Sequence, residues 1–108
     1  MATPRPGKKV RGSTTGRPIM AALDLLGRRW ALRILWELRD GALTFRAVRA
    51  ACGGVSPTVL NTRLGELREA GIIDSTPEGY ALTAAGRDLS KSLTPLWRWS
   101  NDWARLLG

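Results

Sequence analysis

A chain of 108 residues holds one compact domain and leaves few residues for a second. At 44% hydrophobic and 24% charged it is neither a disordered chain nor a membrane-like one, and no apolar run approaches the roughly 20 residues a span requires. Seventeen Lys and Arg against nine Asp and Glu leave a net charge of +8, without a single histidine. That excess points to a polyanionic partner, with simple solubility or an untargeted basic tail as the plainer reading. Catalysis is not expected. Cys52 has no imidazole to activate it, and Gly53-Gly54 lacks the further glycines and lysine of a phosphate loop. The nine acids form no constellation, so no catalytic residue, metal ligand or cofactor is assigned.

Residues 1–17 read as a flexible basic arm. Pro4, Pro6, Gly7, Gly12 and Gly16 interrupt a Lys, Arg, Ser and Thr run, and five basic residues precede the first acid, Asp24. No apolar stretch follows the early charges closely, so no secretory signal is expected. The lone Cys52 fits a reducing, cytoplasmic setting.

The folded domain is expected over 18–108. Pro18 to Leu26 predicts a short helix with proline in its first turn and Ile19, Leu23 and Leu26 on one face. A second helix is expected from about Arg28 to Arg39, its broad stripe formed by Trp30, Ala31, Ile34, Leu35 and Leu38. Ala42-Leu43 suits a short strand, and Thr44 suits the cap of a helix running to Cys52. Ser56-Pro57 is a strong start signal for the next helix, which buries Leu60, Leu64 and Leu67 and stops at Gly71.

Thr44–Cys52, Gly53–Val55 and Ser56–Ala70 therefore make helix, tight glycine turn, helix, the arrangement of a helix-turn-helix. Ile72–Thr76, a Pro77-Glu78-Gly79 turn and Tyr80–Thr83 supply a β-hairpin directly after it, in the position of a wing. A last helix opens at Thr83 or Ala84 and reaches about Leu107, with Pro95 expected to loosen or kink it. The predicted class is mainly α, a winged helix-turn-helix with a long C-terminal dimerisation helix.

In that geometry the second helix enters the major groove by its N-terminal residues. With the leucines inward, Ser56, Thr58, Asn61, Thr62 and Arg63 remain for double-stranded DNA. Asn61 suits adenine and Arg63 suits guanine, or each holds a phosphate. Arg46, Arg49 and Arg68 are expected backbone contacts, with solvated surface charge as the alternative for each.

Trp30 belongs to the core stripe, whereas Trp97, Trp99 and Trp103 occupy more than one side of the final helix. A helix apolar on several sides buries more than one face. The expected homodimer interface accordingly combines Ile19 and Leu23 with Leu96, Trp97, Trp99 and Trp103. An aromatic pocket for a planar small-molecule effector is the other use of those rings. Cys52 lies on an apolar helix face and reads as a core cysteine.

These residues resemble the HxlR-type winged-helix transcriptional regulators. The resemblance rests on Ala22–Leu38 (ALDLLGRRWALRILWEL), Gly41–Val48 (GALTFRAV), Val55–Ile73 (VSPTVLNTRLGELREAGII) and Tyr80–Leu89 (YALTAAGRDL), with Leu96-Trp97-Arg98-Trp99 near the expected place. It implies a homodimeric DNA-binding repressor or activator whose terminal helices form the dimer interface. Two departures stand out. Many members carry a cysteine just before the first helix's proline, where this chain has Arg17; and the wing is short and acidic, with Asp74 and Glu78. A wing of that kind grips phosphate poorly, which keeps a ligand-sensing or protein-interaction module with weak DNA binding as the alternative.

Overall fold

The computed structural model describes residues 17–108. The basic arm expected over 1–17 therefore lies outside the described residues except for Arg17, the extended residue that precedes the first helix. Helix α1 spans Pro18–Leu26, as its proline start and apolar spacing predict. Helix α2 covers Ala31–Glu37 only, a turn shorter at its start than expected. The reason is Trp30, which adopts a left-handed φ of 77° and so cannot belong to a right-handed helix. The Arg28–Trp30 segment is instead the corner between α1 and α2.

Helix α3 runs Phe45–Ala51 and α4 runs Pro57–Glu69. Both begin where their caps say they should. The Thr44 hydroxyl accepts the Ala47 amide and the Ser56 hydroxyl accepts the Val59 amide, each at 3.1 Å, satisfying donors that a helix start leaves open. Strands β1 (Ile73–Thr76) and β2 (Gly79–Leu82) pair antiparallel, with Ile73 opposite Leu82 and Thr76 opposite Gly79. The turn is thus Pro77-Glu78, and Gly79 belongs to the strand. The short strand expected at Ala42-Leu43 is a single bridge, Leu43 to Tyr80, closed by two backbone hydrogen bonds of 2.9 and 2.8 Å.

Helix α5 spans Ala84–Leu107 and is helical straight through Pro95. The loosening expected at Pro95 does not interrupt the helix. Lys91, whose carbonyl loses its usual amide partner to the proline ring, is an exposed residue, and water can satisfy the freed acceptor. The start of α5 is held tightly. Thr83 accepts the Gly86 amide while its hydroxyl donates to the Gly71 carbonyl at 2.6 Å. Gly86 then passes so close to the Ile72 carbonyl that a side chain there would overlap it.

Ile34, Leu35, Leu38, Val48, Leu60, Leu64, Leu67 and Ile73 form the fully buried centre. Each contributes roughly 1.5–3 kcal/mol by leaving water. Because α2, α3, α4 and the wing share this centre, the outer edge of α4 is presented on a rigid support.

Candidate nucleic-acid interface

The corner between α3 and α4 is set by two consecutive left-handed glycines, Gly53 and Gly54, with φ of 75° and 81°. Side chains at both positions would be strained. Val55 then drops into the core and anchors the turn. Two arginines tie it down: Arg49 Nε donates to the Val55 carbonyl at 2.8 Å, and Arg33 Nη2 donates to the Ala51 carbonyl at 2.7 Å. The second bond also places a cation at the C-terminal end of α3, where the helix dipole favours it.

With Leu60, Leu64 and Leu67 buried, Ser56, Thr58, Asn61 and Thr62 are all exposed on α4. Thr62 turns its hydroxyl back onto the Thr58 carbonyl at 3.0 Å. Val59 is also exposed, a residue the sequence reading passed over because it attended to polar side chains. It neighbours the leucine stripe without belonging to it, and an apolar contact to a thymine methyl needs such a residue. Gly65 sits further along the exposed side, with open space where a Cβ would be.

Arg63 departs from the expected outward placement. Its side chain is only 22% exposed and folds back: Nε donates to the Arg29 carbonyl at 2.8 Å and Nη1 to Glu66 Oε1 at 2.9 Å. Glu66 Oε2 in turn accepts Arg28 Nη1 at 2.5 Å, and Arg28 Nη2 reaches Asp24 Oδ2 of α1 at 3.2 Å. Helical spacing places Glu66 three residues beyond Arg63 and within its reach, but the bonds to the Arg29 carbonyl and from Arg28 to Glu66 join distant segments that spacing along α4 does not reveal.

The remaining arginines divide. Arg46 is exposed, in the first turn of α3. Arg49 is exposed but committed to Val55 through Nε. Arg68 stands 3.7 Å from Asp74 on the wing, which offsets part of its charge. The hairpin tip carries Glu78, also exposed.

The residues assigned to a subunit interface also divide. Ile19, Leu23, Leu96, Trp99 and Trp103 are exposed large hydrophobics, Trp99 at 55% and Trp103 at 49%, and the last two stack 5.4 Å apart at 10°. Trp97 instead meets Trp36 of α2 edge to face, and Arg39 covers the Trp36 ring at 3.6 Å. Leu106 and Leu107 extend the exposed apolar stripe.

Burial pushes the Cys52 thiol above its ordinary value, opposed by the Arg33 cation and reinforced by Glu37. Among the described residues no group of His, Cys, Asp or Glu could hold a metal ion, and no helix is long and apolar enough to cross a membrane.

Two helices joined by a tight turn, a hairpin behind them and a polar outer edge on the second helix define a winged helix-turn-helix. Residues 25–106 match the HxlR-like helix-turn-helix family. The Bacillus subtilis HTH-type transcriptional regulator YvaP is 34% identical over 89 residues, covering 76% of this chain and 82% of that protein. The mycobacterial relatives are longer, and this chain spans 61% of their length. Quinone-bound YodB from B. subtilis superposes with a TM-score of 0.71 at 28% identity, covering 78% of this chain and 96% of YodB. An HxlR family transcriptional factor from Thermoplasma volcanium gives 0.71 at 29% identity, covering 78% of this chain and 82% of that one. The chain belongs to the HxlR-like helix-turn-helix family, and it is a DNA-binding transcriptional regulator.

Proposed function

We propose that this protein represses transcription as a cytoplasmic homodimer, inserting α4 of each subunit into successive major grooves of an operator. The observation that carries the reading is the outer edge of α4: Ser56, Thr58, Asn61 and Thr62 stand exposed above a fully buried leucine stripe. Asn61 is the residue we assign to base reading, since its amide can bond an adenine edge in two places. Arg46 and Arg68 are assigned to phosphates, as is Arg49 through the guanidinium nitrogens it does not spend on Val55. The arm over 1–17 would add further charge contacts.

The dimer reading is supported by the exposed Ile19, Leu23, Leu96, Trp99 and Trp103 on the two terminal helices, since exposed apolar groups gathered on a surface mark interaction sites. Two-fold pairing also matches the half-site spacing that such helices require. A non-catalytic role accords with relatives that are regulators. A small-molecule effector is a further partner of this reading, supported by the quinone held by YodB, although Arg17 stands where many members carry a cysteine.

Selection from a random-sequence duplex pool tests the function. Enrichment of a two-fold symmetric site, with affinity falling steeply as salt rises, is the expected result. A second reading, a ligand-sensing or protein-interaction module with weak DNA binding, draws on the acidic wing, where Asp74 faces Arg68 and Glu78 forms the tip. It predicts no enriched sequence.

A further inference from the structure

We propose that Arg63 is a positioning residue: through Glu66 and Arg28 it locks the recognition helix to α1 and to the α1–α2 corner, and so sets the angle at which α4 presents Asn61 and its neighbours. The proposal rests on the reading of α4 as a DNA-reading helix. Its basis is a continuous set of bonds between segments far apart in sequence. Asp24 on α1 accepts Arg28 at 3.2 Å, Arg28 donates to Glu66 on α4 at 2.5 Å, and Glu66 accepts Arg63 at 2.9 Å. Arg63 closes the path by donating to the Arg29 carbonyl at 2.8 Å.

Burial makes these bonds rigid rather than ornamental. The side chains of Arg28, Asp24 and Glu66 are exposed by only 5%, 9% and 12%. Charged groups so far from water hold one geometry, because breaking a bond leaves a charge uncompensated. The guanidinium fork matters too. Arg63 reaches a carboxylate and a carbonyl in different directions at once, which a lysine ammonium does less well. The leucine stripe fixes which face of α4 is buried, but apolar contacts are non-directional, whereas hydrogen bonds specify direction as well as distance. The bonds at Arg63 and Glu66 add that directional constraint at and just beyond the middle of the helix, starting one residue beyond Thr62.

A positioning role and a contact role predict different binding data. Operator duplexes selected by the wild-type protein and random duplexes of equal length are the probes, with Arg63→Gln, Arg63→Lys and Glu66→Gln as variants. Melting curves identify any variant that is unfolded at the assay temperature, and the single-atom change Glu66→Gln supplies the answer should Arg63→Gln unfold. For positioning, operator affinity falls about tenfold while random-duplex affinity and the salt slope stay at wild-type values. The lost discrimination is spread over every base pair that α4 reads, and Arg63→Lys recovers part of it. Loss confined to one base pair, a salt slope reduced by about 0.9 as for a lost phosphate contact, or unchanged discrimination would each overturn the proposal while leaving the DNA-binding reading intact. A wild-type protein that enriches no operator overturns that reading and the proposal together.

Discussion

Trp36 of α2 and Trp97 of α5 meet edge to face with ring centroids 5.1 Å apart and planes at 71°. This contact fastens the long last helix to the domain body at a point well past its start, beyond the anchor that Thr83 and Gly86 provide. Beyond it the helix carries apolar side chains, Trp99, Trp103, Leu106 and Leu107, that remain exposed in the single chain. The two sets of tryptophans are therefore expected to answer differently to truncation.

Trp97→Ala should lower stability by about 2 kcal/mol, less than the 3–5 kcal/mol of a fully buried tryptophan because Trp97 is half-buried. The loss should appear in urea unfolding at every protein concentration. Trp99→Ala should instead weaken self-association, visible as a shift toward the monomer in sedimentation velocity at micromolar concentration. A Trp99 variant that sediments as the wild type would remove α5 from the subunit interface.

On the DNA-binding edge, Asn61→Ala is expected to cost about 1–3 kcal/mol on the operator and little on random duplex, the signature of a base contact. Arg46→Ala should weaken both alike and reduce the salt slope by about 0.9. Fluorescence anisotropy across a salt series separates the two outcomes.

Gly65 interrupts an otherwise good helix, and no atom lies where its Cβ would stand. Replacing it with alanine should raise the unfolding free energy by up to about 1 kcal/mol, since glycine is the poorer helix former. If duplex backbone or base edges come close at this point, the same substitution weakens DNA binding. A variant that is more stable and binds as well as the wild type places Gly65 away from the DNA.

Cys52 is 2% exposed, with its thiol pushed up by burial. The native state then keeps its proton to higher pH than the unfolded chain does. Above the ordinary thiol value the unfolded state binds fewer protons, so stability declines as pH rises, and below that value Cys52 makes stability no steeper. Cys52→Ala should flatten the alkaline decline in a pH series of urea unfolding curves. A colorimetric thiol reagent at neutral pH should label wild-type Cys52 only after denaturant is added.

The wing and the helix-turn-helix were readable because their signals are local. Thr44 and Ser56 open helices by accepting amides only three residues on, and Leu60, Leu64 and Leu67 recur at the helical repeat. Where reading fell short, a local signal met a distant partner. The Arg28–Trp30 segment looked like a helix start by its apolar stripe, yet Trp30 sits in the left-handed region.

The repeat of apolar residues, the caps and the glycine pair alone determined the element order and the buried face of α4, since each acts within a few residues of itself. Tertiary structure decided where the long side chains went. Arg63 turned inward to Glu66 and the Arg29 carbonyl, and Trp97 turned to Trp36 while Trp99 stayed in solvent. A flexible or bulky side chain on a partly polar face has several reachable partners, and only the arrangement of the other helices selects among them.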